Sequence, residues 1–209
     1  LTTVSMAYLP DPRRQARASL ETSNQTTLGK VRPPRSWSST GFKHCSFSAY
    51  VQPSRSYLRI PVTLYNSGPR PLVVVDLRLQ LSSVSHSAPA PSRNFRKSIK
   101  TASDDFEDFP HPYVVPGRSV VTTFVEFGAD PRVMSTGEPA TAALSVLVDR
   151  KGWRQVGATE VRTDSIGDPG SYITYSNDPA HWPPGQLAKA RDALATVRSS
   201  LPAASAPPA

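Results

Sequence analysis

Two apolar runs joined by a proline- and glycine-rich corner, YLRIPVTLYNSGPRPLVVVDLRLQL over residues 57–81, constrain the fold of this chain more than any other stretch. In the first run Leu58, Ile60, Val62 and Leu64 alternate with Arg59, Pro61, Thr63 and Tyr65; in the second Val73, Val75, Leu77, Leu79 and Leu81 alternate with Asp76, Arg78 and Gln80. A period of two puts one set on a buried sheet face and the other outward, so both runs read as strands. Val74 adds an apolar residue to the outward set. Pro61 cannot donate a ladder hydrogen bond, which predicts a sheet edge or a bulge at that position. Between the runs, Asn66-Ser67-Gly68-Pro69-Arg70-Pro71 turns the chain: Asn and Gly tolerate positive φ, and the prolines fix φ.

The remaining chain extends this pattern. Residues 45–51 alternate through Cys45, Phe47, Ala49 and Val51 and read as a first strand, with Cys45, the single cysteine, as a buried structural thiol. Val115-Pro116-Gly117-Arg118 has the Pro-Gly order of a type II turn, with glycine supplying positive φ. The strand after it, over 120–127, has Val121, Val125 and Phe127 inward. Residues 140–148 and 153–161 flank Asp149-Arg150-Lys151-Gly152 as a hairpin with Ala142, Leu144, Val146 and Val148 inward, and residues 172–175 add a short strand. Ser- and Pro-rich residues 82–91 read as loop. Residues 186–201 carry Leu187, Ala190, Leu194, Val197 and Leu201 at helical spacing, and Pro202 ends the helix. With 22 Pro and 11 Gly in 209 residues, short strands and turns suit the composition better than long helices. The expected fold is all-β: an antiparallel β-sandwich of seven to nine strands over residues 44–176, then a loop and docked C-terminal α-helix over 177–201. Residues 202–209 are expected to form a disordered tail.

Residues 1–43 are Ser-, Pro- and Arg-rich without a sustained period and read as a basic arm or linker, with a short helix after Pro12 and with Trp37 and Phe42 tucked onto the domain. Through residue 45 this region holds seven basic residues against Asp11 and Glu21, five of the net +8 charges. Such an arm suits an anionic membrane surface or nucleic acid, or simply solvent. No stretch reaches the roughly 18–20 apolar residues that cross a bilayer. Asn24-Gln25-Thr26 fits the N-glycosylation pattern.

Catalytic and metal signatures are sparse. His44, His86, His111 and His181 lack metal-ligand spacing, and GxSxG, P-loop and GxGxxG patterns are missing. No catalytic residue, metal ligand or cofactor is therefore assigned. Two charged clusters remain as candidate binding residues. One is basic: Arg93, Arg96, Lys97 and Lys100, with Phe95 as its only interleaved aromatic. The other is acidic and aromatic: Asp104, Asp105, Phe106, Glu107, Asp108, His111 and Tyr113. Opposite signs this close are expected to compensate across a loop or short hairpin. The acidic cluster reads first as a solvated loop.

RIPVTLYNSGPRPLVVVDLRLQL followed by YVVPGRSVVTTFVEFG resembles uncharacterised bacterial immunoglobulin-like domains, in which a strand, an N-x-G corner with proline, a second strand and a later Pro-Gly turn recur. The resemblance covers residues 45–162. It implies an immunoglobulin-like sandwich, tethering through an upstream membrane helix or charged linker, and no catalytic residues. The expected function is non-enzymatic protein interaction or scaffolding, with an unidentified protein partner contacted through Arg93–Lys100 and Asp104–Tyr113. Two rival classes set requirements. A hydrolase or metal-dependent enzyme needs Asp104, Asp105, Glu107 or Asp108 to converge with a histidine in a cleft. A nucleic-acid or anionic-lipid binder needs Arg93, Arg96, Lys97 and Lys100 to join the basic arm in one patch.

Overall fold

A computed structural model describes residues 2–6, 46–149 and 152–202. The expectations for the arm, its short helix, Trp37, Phe42, the glycosylation pattern, Cys45 and the tail concern residues outside these, apart from 2–6 and Pro202. Eleven strands are described: β1 (Thr2–Met6), β2 (Ser46–Gln52), β3 (Arg55–Asn66), β4 (Leu72–Ser82), β5 (Ser87–Arg96), β6 (Phe106–Asp108), β7 (Tyr113–Val115), β8 (Ser119–Ala129), β9 (Pro139–Val148), β10 (Trp153–Arg162) and β11 (Ile173–Ser176). A four-residue helix, α1 (Pro131–Met134), follows β8, and α2 (Gln186–Ser199) closes the domain.

The pairings are antiparallel except that of β1, which runs parallel to β3. One layer has the order β6-β5-β8-β3-β2-β11 and the other β10-β9-β4-β5. Strand β5 belongs to both. Its residues 87–91 pair with β4 and residues 92–96 with β8, so the sheet folds over on itself there. A single apolar core lies between the layers, with Phe47, Leu58, Ile60, Leu64, Val125 and Phe127 from one and Leu77, Leu79, Leu81, Ala142, Leu144 and Val146 from the other. The fold is thus all-β with a C-terminal helix. In α2, Ala190 and Leu194 are buried and Val197 packs against the core, as the apolar stripe predicts.

Four departures from the sequence reading have physical causes. Val73 is exposed and Val74 buried, the reverse of the alternation, because the register between β4 and β9 shifts between Val74 and Asp76. The extra residue, Val75, flips the faces on either side of it. The segment read as loop over 82–91 contains the first half of β5. Only β4 flanks it among the described strands, so Pro89 and Pro91 lie on an edge that tolerates them. Pro61 sits inside a central strand, yet it falls in the gap between β2, paired with β3 as far as Arg59, and β1, paired from Val62 onward. Finally, the positive φ of the 115–118 turn falls on Arg118, at 54°.

Gly117 is needed there for a different reason: a Cβ on it would meet the Pro69 carbonyl oxygen at 2.2 Å. That close approach interlocks two corners. The Arg118 amide donates to Gly68 O at 2.8 Å. Asn66 Nδ2 donates to Arg70 O at 2.8 Å and to Val115 O and Pro116 O at 3.1 Å each, while Asn66 Oδ1 accepts from the Gly68 amide at 3.0 Å. The buried amide satisfies backbone groups that the crossing between layers leaves without ladder partners.

Candidate functional site

The outward face of β3, β8 and β2 should carry solvated residues, but residues 97–105 cross over it and bury three of them. Arg59 is 1% exposed and Glu126 2%, at paired positions of β3 and β8, and Ser48 on β2 is also covered. The crossing segment supplies backbone acceptors. Arg59 Nη1 donates to Ser98 O and Lys100 O at 3.2 Å each, and Ser48 Oγ donates to Ile99 O. Thr101 Oγ1 reaches across to Tyr172 O at 3.1 Å, beside β11.

Four charges close into a ring beneath this segment. Arg59 Nη1 contacts Asp105 Oδ2 at 2.6 Å, Asp105 Oδ1 meets Arg96 Nη1 at 3.0 Å, Arg96 Nη2 meets Glu126 Oε1 at 2.8 Å, and Glu126 Oε2 returns to Arg59 Nη2 at 3.1 Å. Two cations alternate with two anions, so the buried layer is neutral. Its remaining acceptors are also served: Asn94 Nδ2 donates to Glu126 Oε1 at 2.6 Å, the Tyr172 hydroxyl to Glu126 Oε2 at 2.8 Å, and the Ala102 amide to Asp105 Oδ2 at 3.2 Å. The Tyr172 ring lies 4.8 Å from the Arg59 guanidinium and the Phe106 ring 5.7 Å from that of Arg96.

Burial alone would raise both carboxyls, but hydrogen bonds from Arg59 hold Asp105 below its ordinary value, and those from Arg96, Asn94 and Tyr172 do the same for Glu126. Burial works against the Arg59 cation, and the bonds to Asp105 and Glu126 outweigh it. Burial beside Glu126 pushes the Tyr172 phenol upward. Carboxylates held ionised and guanidiniums held charged have no proton to exchange near neutral pH. The ring and the bonds beside it fasten the 97–105 segment to the sheet.

The predicted site residues divide around this ring. Arg96 and Asp105 belong to it, which bears out the expected compensation of opposite charges. Asp105, at 5% exposure, departs from the solvated reading of the acidic loop. Asp104, Glu107 and Asp108 are exposed. Asp108 Oδ2 lies 3.4 Å from His111 Nδ1, with both side chains at the surface, so the carboxylates do not converge on a histidine in a cleft. Among the described residues no three metal-ligating side chains come together. Lys97, Lys100 and Arg93 are exposed, but Arg96 is committed inward, so the four do not form one free basic patch. His111 and Tyr113 pack edge-on to the buried Phe95 ring at 5.3 and 5.9 Å, and burial raises the Tyr113 phenol.

Immediately outside the ring, β6 forms the edge of its layer, hydrogen-bonded to β5 and to no other described strand. It presents Phe106, 43% exposed, in T-shaped contact at 5.2 Å with Phe109, 68% exposed, flanked by the three surface carboxylates. Sequence reasoning missed Arg59, Glu126, Asn94 and Tyr172. One signal was available: Arg59 and Glu126 are the charged residues within two otherwise apolar or Thr-rich strand patterns, and their signs are opposite. No protein-family model matches this chain, and no curated protein is significantly similar to it. Among the described residues no helix is long and apolar enough to cross a membrane.

Proposed function

We propose that this domain is a non-enzymatic interaction or scaffolding module of the immunoglobulin-like type, engaging a partner protein through the β6 edge and the loop around it. One observation carries the reading: two exposed phenylalanines in ring contact stand on and just after an edge strand, Phe106 as its first residue, directly following the buried Asp105, and Phe109 immediately beyond its end. A display surface fastened in this way loses little conformational freedom on binding, and an edge strand offers backbone groups for strand addition. The flanking Asp104, Glu107 and Asp108 favour a partner segment with basic and apolar residues. The order β2-β3-β8-β5 facing β10-β9-β4-β5 supports the immunoglobulin-like reading, since it corresponds to the ABED and GFC sheets of that architecture with one strand shared. Tethering at a membrane surface by a segment upstream of Leu1 belongs to the same reading and rests on the resemblance alone.

The test is affinity capture from source-cell extract, followed by titration of the purified partner against the domain. The double variant Phe106→Ser/Phe109→Ser should lose the partner, and Glu107→Gln/Asp108→Gln should weaken it with a reduced salt dependence. A partner held equally by both variants would place the interaction elsewhere.

A further inference from the structure

Beside the 97–105 segment, the outer face that carries Arg59 continues as a row of aromatic rings. Tyr57 stands two residues before Arg59 on β3 and therefore on the same face. Tyr50 of β2 pairs with Tyr57, Tyr57 pairs with Gly128 of β8, and Tyr172 immediately precedes Ile173, the partner of Ala49. Tyr172, Tyr50, Tyr57 and Gly128 thus form one row across the sheet. The rings touch in sequence: Tyr172 stacks on Tyr50 with 6.0 Å between centroids, and Tyr50 meets Tyr57 at 6.3 Å. All three tyrosines are half-buried.

Three exposed cations border these rings. At the β8 end, a Cβ on Gly128 would meet Arg93 Nε at 2.9 Å, so the missing side chain lets Arg93 lie across the sheet. Arg55 places its guanidinium 5.6 Å from the centre of the Tyr50 ring. At the other end the crossing segment delivers Lys100, held by its own carbonyl to Arg59 and through Thr101 to Tyr172 O. The two carboxylates buried on this face, Asp105 and Glu126, are neutralised by Arg59 and Arg96. Arg55, Arg93 and Lys100 form no ion pair among the described residues, so they leave an uncompensated positive rim on a chain of net charge +8. This face does not depend on Arg96, which is turned into the ring; Arg55 takes its place beside the rings. Cations that follow a row of aromatic side chains suit a flexible polyanion whose flat groups can stack one after another. We infer that the face formed by Tyr172, Tyr50 and Tyr57 binds single-stranded nucleic acid, with bases packing on the tyrosines and phosphates on Arg55, Arg93 and Lys100.

Fluorescence anisotropy of a labelled oligothymidine of about 12 nucleotides, titrated with the whole chain over a series of salt concentrations, tests this. A DNA duplex of the same length, dextran sulfate and a Glu-rich peptide serve as competitors. Oligothymidine should bind saturably and more tightly than any of the three. The double variant Tyr50→Leu/Tyr57→Leu should lose affinity about tenfold with the salt dependence unchanged, because stacking is removed and the phosphate contacts stay. Tyr57→Trp, which keeps a ring, should bind as the parent does. In Arg55→Gln/Lys100→Gln, where only exposed side chains change, the slope of log K against log salt should become shallower by about 1.4, or about 0.7 per lost phosphate contact. That slope decides the matter even if the tyrosine variant does not fold. No binding of oligothymidine, or a slope that the cation variant leaves unchanged, would overturn the inference; the latter would assign the binding to the basic residues of the first 45 positions. Equal binding of duplex or dextran sulfate would show that the rings take no part. A Glu-rich peptide bound as tightly as oligothymidine would assign the face to an acidic protein segment and overturn the inference as well.

Discussion

The layer that contains β3 and β8 is buried on both faces, by opposite means. Its inner face meets an apolar core in which Phe127, Leu58 and Val125 pack without direction-specific bonds. Its outer face, one residue along each strand, carries Arg59 and Glu126 in a closed ring with Arg96 and Asp105. Apolar packing degrades gradually as volume is lost, whereas a buried ring of charges depends on every member, because a missing partner leaves an uncompensated ion. The same strands therefore hold the domain together on one side and hold a surface segment in position on the other.

The largest effects should separate the two faces by their pH dependence rather than by size. Arg59→Met strands Asp105 and Glu126 and should cost about 3–5 kcal/mol in urea denaturation at pH 7. That deficit should narrow toward pH 3, where the stranded carboxyls can take up protons. Phe127→Ala should cost about 3–5 kcal/mol, with a deficit that stays flat over the same range. If both deficits respond to pH alike, the distinction between the faces fails.

Asp105→Asn should be milder, about 2 kcal/mol, since the amide keeps some of the bonds but the ring gains a net positive charge. Its signature is local: amide exchange at Lys97 and Ala102, which bond to Asp105, should accelerate more than exchange in β3. In the unaltered protein, Asp105 and Glu126 bind protons less readily folded than unfolded. Their contribution is thus complete above the ordinary carboxylate range and declines as pH falls below about 4, toward their depressed folded values. A stability profile flat from pH 5 to pH 2 would show that the ring adds nothing. The smallest effect belongs to Phe109→Ser, which should change stability by no more than about 0.5 kcal/mol while removing the proposed partner contact. A large loss of stability there would mean that Phe109 is structural rather than displayed.

Much of this fold could be read from alternation alone. The core positions of β2, β3, β8 and β9 follow a period of two, and α2 follows its apolar stripe, because those residues contact the core through regular local geometry. Strand β5 was hidden: Ser-Ala-Pro-Ala-Pro has the composition of a loop, and only its position on a free edge makes it a strand. The bulge at Val75 was hidden likewise, since a register shift depends on the partner strand. Of the candidate site, the sequence singled out the acidic-aromatic and basic clusters but not which members turn inward.

The amino-acid sequence by itself determined the all-β class, the inward residues of the regular strands, the corner residues and the terminal helix, because each is set by neighbours a few positions away. Only the tertiary structure decided that Asp105 and Arg96 leave the surface while Phe106 and Phe109 stay on it. That choice depends on Arg59 and Glu126, 46 and 21 positions from Asp105 in the chain, which meet it only after the sheet has formed and residues 97–105 have crossed over it. Charge pairing at such separations has no local period, so its outcome follows from the closed ring and not from any stretch read alone.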